Sequence, residues 1–156
     1  MAHSYIYIKD KQQDRSLGSS DGTIYIYMYF MIKLLEGDFD FSVINLKNIL
    51  IRSYKEQLAG EYWSMVDIKI REVYEDEIIL KQFLIKLSEL EKELAVFGEY
   101  IDHNILNNAP EVNSEFTKPI PVQRILDFIN NIRWVLRVDN VQPIEEGFVI
   151  SHTVLD

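Results

Sequence analysis

The side chains that could do acid–base or metal chemistry here are three histidines and 25 carboxylates, and their spacing decides what they can do. His3, His103 and His152 lie far apart, and none stands in the HExxH or HxH arrangement that brings two imidazoles onto one metal. Glu99, Asp102 and His103 form the one local group holding both carboxylate and imidazole. It could become a carboxylate-site enzyme centre if a distant residue joined it, or it could be a turn in which the histidine bonds locally. Glu75-Asp76-Glu77 and Glu145-Glu146 are close enough for acid–base or metal work if burial raised a pKa, and they equally suit a helix start or a solvated surface. There is no GxSxG, P-loop or GxGxxG, which disfavours nucleophile-elbow hydrolases and the common nucleotide folds. Cysteine is absent, so thiolate catalysis, disulfides and cysteine-containing zinc sites are excluded. No catalytic residue, metal ligand or cofactor is expected.

Charge then narrows the partner. The 156 residues carry a formal charge of −9, which opposes nucleic-acid binding because neutralising phosphates needs a basic stripe. From Glu72 to Asp102 nine acidic residues face three lysines, a local excess of six negative charges. Such a surface keeps a protein in solution or meets a basic partner. The start, MAHSYIYIKDKQQDRS, has no basic segment leading into an apolar run with a small-residue cleavage site, so the expected location is cytoplasmic.

The elements that must position these groups follow from periodicity. Ser4 to Lys9 alternates as a strand, with Tyr5 and Tyr7 on one face and Ile6 and Ile8 on the other. DKQQDRSLGSSDG reads as a turn-rich loop ending in Ser20 or Asp21 as helix N-cap. The run Ile24 to Leu35 is too short, and too interrupted by Lys33, for a membrane span. Ser/Asp before it and Gly37 after it favour a buried helix over a strand, although a strand stays open. After the GDFDF turn, Ser42 is placed to cap a second helix with Val43, Leu46, Ile49, Leu50 and Tyr54 inward. Val66, Ile68 and Ile70 alternate with Asp67, Lys69 and Arg71 as in a half-solvated strand, with a helix as the runner-up. Ile79, Phe83, Leu87, Leu90, Leu94 and Phe97 predict a long helix with Glu75, Asp76 and Glu77 at its positive end and Gly98 as its stop. Residues 99–121 are irregular, with a short strand around Tyr100 to Ile105, and long enough that they should pack or bind. Pro121 opens a last helix over 122–138, and GFVISHTVLD ends the chain as a strand. The whole is one α+β domain over 1–156, with about four helices on a small, mostly antiparallel sheet.

A small, acidic, cysteine-free α+β chain resembles the immunity proteins that bacteria co-produce with polymorphic or contact-dependent toxins. GSSDGTIYIYMYFMIKLLEG is similar to the glycine-serine-x-aspartate turn, aromatic helix and Leu-Glu end near the start of the immunity protein 70 family. Val73-Tyr74-Glu75 before Leu87 to Leu94 resembles that family's tyrosine turn and Leu/Glu helix, and PVQRILDFINNIRWVL resembles its last helix. Phe39 to Met65 stands as an insertion relative to this pattern.

The resemblance implies a non-catalytic inhibitor whose partner is the C-terminal domain of a cognate toxin, such as a basic nuclease. Neither nucleic acid nor membrane is an expected partner, and the chain itself would be a monomer or weak homodimer. An acidic inhibitor gains encounter rate from charge and affinity from a buried anchor cluster. This places Glu75, Asp76, Glu77, Glu99 and Asp102 at the charged contact, with Tyr62, Trp63 and Tyr100 as anchors. A homodimeric structural or adaptor subunit and a small carboxylate-site enzyme are the alternatives.

Overall fold

Alternating side chains make β1, His3–Lys9, in the computed structural model, which describes residues 3–9, 13–60, 65–113 and 115–154. Ile6 and Ile8 are buried on its core face, while Tyr5 and Tyr7 stand on the open face. β1 pairs antiparallel with β2, Gln13–Ser20, and β2 pairs antiparallel with β5, Val149–Val154, giving the order β1-β2-β5. The loop expected over 10–22 is therefore largely the central strand. Its Gly and Ser residues look like turn formers but serve the pleat. Leu17 and Ser19 point into the core, and Gly18 leaves room for the Tyr5 ring, whose Cε1 would lie 2.7 Å from an added Cβ.

Among the described residues four long helices complete the core: two pack on this sheet, and the other two pack against those. α1, Asp21–Glu36, is the helix favoured for the opening apolar run, capped by the Ser20 hydroxyl and closed at Gly37. Ile24, Ile26, Tyr27, Met28, Phe30, Met31, Ile32 and Leu35 are all buried, so apolar residues line most of its circumference, as suits a central helix. α1 packs on three further helices: α2, Ile44–Leu58, α4, Glu77–Ala95, and α6, Val122–Val135. Ser42 does not cap α2. Asp40 instead caps a 3-10 turn, Phe41–Val43, that leads into it. Pro121 sits one residue before the start of α6 and belongs to β4, Ile120–Pro121, which pairs antiparallel with β3, Tyr100–Ile101. Between those strands lies α5, Asn104–Asn107, and the connection packs inward through Ile101, Leu106 and Ile120.

The strand expected over 65–74 is absent, and the reason is visible in its hydrogen bonds. Val66, Ile68 and Ile70 are buried as their alternation requires, yet the backbone meets side chains instead of a neighbouring strand. Ser4 Oγ accepts from Val66 N–H at 2.9 Å. Gln57 holds both backbone groups of Asp67, with its Nε2 donating to the carbonyl and its Oε1 accepting from the amide, each at 2.7 Å. Tyr54 donates to Ile68 O at 2.7 Å. Lys69 then turns the chain at φ 62° into the short helix α3, Ile70–Tyr74.

The two-sided amide clamp recurs twice. Asn131 of α6 binds both backbone groups of Ile144, at 2.9 and 2.8 Å. Asn107 of α5 does the same for Phe116, at 2.7 and 2.8 Å. Each carboxamide does for one residue what a neighbouring strand's peptide would do, so irregular chain is held without exposing unpaired backbone.

At the centre, Tyr54 has one hydroxyl proton and gives it to Ile68 O, so the 3.0 Å contact between the two tyrosine oxygens is Tyr27 donating to Tyr54. The Tyr27 ring packs edge-on against both Tyr54 and Phe128. This direction makes the two hydroxyls unequal. Tyr54→Phe strands the Tyr27 proton and the Ile68 carbonyl and should cost about 2–4 kcal/mol, whereas Tyr27→Phe removes one bond and should cost about 1 kcal/mol. Urea unfolding of both variants measures the difference, and equal costs would show that the relay does not run this way. Burial raises the ionisation of Tyr27 and Tyr54 well above the ordinary tyrosine value. The unfolded chain loses those protons near pH ~10 while the folded chain keeps them, so stability is full below about pH 10 and falls as pH rises further.

Candidate functional site

The carboxylates expected at a charged contact fall into two groups held apart by α4. Asp76 is its N-cap, accepting from the amides of Ile78 and Ile79 at 2.9 and 3.1 Å. Glu75 ends α3, and Glu77 lies 3.7 Å from Lys81. Glu99, Tyr100 and Asp102 follow the other end of α4. At 1.5 Å per residue its 19 residues separate the groups by about 28 Å, so one contact that uses both must run the length of the helix. Tyr100 is exposed, while Tyr62 and Trp63 lie outside the described residues.

Asp102 accepts from Asn104 N–H at 2.9 Å and is 3.9 Å from His103 Nδ1, beyond hydrogen-bonding reach. The Glu99 backbone carbonyl receives Val122 N–H. This is turn architecture, and among the described residues no side chain from elsewhere in the chain hydrogen-bonds or ion-pairs with the group. Among the described residues no cluster of three His, Asp or Glu is placed to hold a metal ion, and no helix is long and apolar enough to cross a membrane.

What the structure adds is a surface beside the middle of α4. Residues 38–43, between α1 and α2, expose Phe39 and Phe41 at 92% and 83% of their surface. A loop that placed two phenylalanines in water by looseness would have few bonds, and this one has many. Asp38 accepts from Asp40 N–H at 2.8 Å, and Asp40 accepts from Ser42 N–H at 2.9 Å. Lys47 donates to the Asp38 carbonyl, and Gln82 of α4 donates to Ser42 O at 2.6 Å.

The deepest brace is Lys86, only 5% exposed although charged, which binds the carboxylates of Asp38 and Glu89. Burial works against its charge, but the bonds to Asp38 and Glu89 more than offset that and raise its pKa. The same Lys86 bond, with help from Asp40 N–H, holds the Asp38 carboxyl below its ordinary range.

Next to the loop, α4 turns Ile78 and Ile85 outward at 70% and 59% exposure. Seven residues apart, they share one face, with Gln82 between them reaching the loop. A shallow groove of about 330 Å³ lies along the same side, lined by Lys33, Asp38, Phe39, Lys86, Glu89 and Glu93. Its two lysines are already engaged, Lys33 by Glu111 and Lys86 by Asp38 and Glu89. Glu93 is exposed and has no ion pair among the described residues.

Periodicity could not find Phe39 and Phe41, because they belong to no helical or alternating pattern. The signal was their setting: two aromatics inside the acidic turn GDFDF, with no amphipathic stripe to receive them.

A second groove, about 490 Å³, opens between β1 and 65–72 and is lined by Tyr5, Tyr7, Met65, Asp67, Arg71 and Glu72. The Arg71 guanidinium lies 5.3 Å from the Tyr7 ring centroid, a cation–π contact that ties α3 to the open face of the sheet.

Comparison of the chain with protein-family models, curated proteins and solved structures finds no match.

The braced loop separates stability from surface chemistry. Lys86→Met should destabilise by about 1–3 kcal/mol, because Asp38 loses its charged donor. Phe39, whose ring lies 5.9 Å from the Lys47 ammonium, and Phe41 are otherwise exposed, so Phe39→Ser and Phe41→Ser should each cost less than about 1 kcal/mol. Thermal unfolding of the three variants measures this. The Asp38 contribution should be present above about pH 4 and disappear as pH falls through its lowered pKa, since the unfolded carboxyl protonates first.

Proposed function

We propose that this chain is an immunity protein, a non-catalytic inhibitor that binds the C-terminal domain of a cognate bacterial toxin through an acidic surface. The observation that carries the reading is the set of exposed carboxylates without counter-ions. Among the described residues Glu72, Glu75, Glu93, Glu99, Glu115, Asp139, Glu145 and Glu146 are exposed and form no ion pair. Unpaired surface charge of one sign repels itself and adds little to the fold. Its benefit comes when a surface of the opposite sign approaches, where it accelerates encounter and rejects acidic competitors. A toxin domain with a cationic substrate surface, such as a nuclease, is the partner this charge suits. The resemblance of the α1 and α6 sequences to immunity protein 70 supports the same class, and the cytoplasm is the compartment where such an inhibitor would meet an incoming toxin.

The edge strand β5 supports a second reading, a homodimeric adaptor. Val149–Val154 holds no proline and no Lys, Asp or Glu, the usual devices that stop edge strands from pairing with other chains. Sedimentation over a hundredfold range of concentration decides it. A mass that stays monomeric removes this reading, and a stable dimer supports it.

The test of the leading reading is direct. The domain encoded at the C-terminal end of the reading frame immediately upstream, if it is a toxin, should bind the purified chain and lose its activity in the complex. The association rate should fall as ionic strength rises from about 0.05 to 0.5 M, while the dissociation rate changes much less. An upstream metabolic enzyme that does not bind would reject the reading.

A further inference from the structure

The sequence reading put the anchors of the partner contact at Tyr62, Trp63 and Tyr100; among the described residues a further pair of aromatic side chains is prepared for that role. Three features converge on residues 38–41 and the adjacent side of α4. Phe39 and Phe41 are the two most exposed aromatic side chains among the described residues with large exposed apolar groups. Lodged in water, they contribute almost nothing to the core. Yet the backbone that carries them is fixed by Asp38, Asp40, Lys47, Gln82 and Lys86, so the loop loses little freedom on binding. Low ordering cost and aromatic anchors are what concentrate affinity at a few positions of an interface.

The electrostatics of the rim say what the anchors meet. The groove beside Phe39 is bordered by Asp38, Glu89 and Glu93, and both of its lysines are committed to carboxylates of this chain. Negative charge is therefore in excess along it, and Glu93 is the lining carboxylate that no described cation pairs. We propose that Phe39 and Phe41 are the anchors of the partner contact and enter an apolar pocket on the toxin domain, while a lysine or arginine at the rim of that pocket enters the groove toward Glu93. Ile78 and Ile85 extend the apolar part of this contact along α4. The proposal rests on the immunity reading and makes it specific. The acidic ends of α4 then act at long range, steering approach, and the middle of α4 holds the complex.

The probe is the C-terminal domain encoded immediately upstream, titrated calorimetrically against four forms of the full chain: wild type, Phe39→Ser/Phe41→Ser, Glu93→Lys, and Glu99→Gln/Asp102→Asn. The anchor assignment predicts at least about a hundredfold loss of affinity for the double phenylalanine variant, since truncating a hot-spot residue costs tenfold or more. It predicts a loss of about tenfold for Glu93→Lys, and less than about threefold for the variant at the far end of α4. Unfolding curves that match wild type exclude misfolding as the cause.

If wild type binds and the phenylalanine variant binds within threefold of it, the anchor assignment is overturned and the immunity reading stands. If wild type does not bind, the immunity reading falls and the assignment falls with it. Concentration-dependent self-association of the wild type, lost in Phe39→Ser/Phe41→Ser, would show that the phenylalanines meet a second copy of this chain, which also overturns the assignment.

Discussion

The constraint on which the rest of the structure depends is the capture of irregular backbone by buried polar side chains. Tyr54 and Gln57 project from one side of α2, three residues apart, and between them bind the amide and carbonyl of Asp67 and the carbonyl of Ile68. Without those bonds the segment 65–69 would bury peptide groups with nothing to satisfy them, at a cost comparable to losing several hydrogen bonds. With them it lies against β1, sends Ile68 into the core and delivers α3 and α4 in their places. The Asn131 and Asn107 clamps repeat the device at Ile144 and Phe116. Among the described residues five strands, in sheets of three and two, suffice, because amide side chains replace strand partners where a wider sheet would otherwise be needed.

This interior arrangement accounts for the contrast between the aromatic groups. Tyr27 of α1 and Tyr54 of α2 are structural: both are fully buried and hydrogen-bonded to each other. Phe39 and Phe41, which have no polar group and lose most by exposure to water, stand at the surface instead, although Phe30, Phe83 and Phe128 are buried. Exposed aromatics on a braced loop are an unusual use of apolar area for a chain that could have buried them. Lys86 makes the point from the other side, since a nearly buried charge with two carboxylate partners fixes geometry more than it adds stability. At this loop a buried charge fixes the backbone and two apolar rings face water, the reverse of the distribution in the apolar core.

Much of the fold was legible from periodicity and caps. The inward stripes of α2, α4 and α6, the Ser20 cap of α1, the β1 alternation and the terminal strand follow from rules that operate over four to eight residues. The misreadings share one physical cause. Central strand β2 is written in glycine and serine because its open face must admit the Tyr5 ring and its core face is narrow at Ser19. The segment 65–69 alternates like a strand because one side is buried, but whether its backbone meets a strand or the amide of Gln57 is decided by tertiary contact. The candidate surface was partly legible. Composition located the excess negative charge along Glu72 to Asp102, but not the fact that α4 divides it into two distant groups, nor that Lys86 reaches across to Asp38 and stiffens an acidic turn with two phenylalanines.

The central claim is that this rigid, acidic surface exists to be covered by another protein. Amide hydrogen exchange of the chain, free and mixed with the C-terminal domain encoded immediately upstream, tests it most directly, because it reports every covered segment at once. The account predicts slowed exchange across 38–44 and along 77–89 of α4, with no change around the Asn131 clamp at Ile144. Unchanged exchange at 38–44 and 77–89 in a mixture that forms a complex, with protection confined to Tyr5, Tyr7 and Arg71, would contradict it.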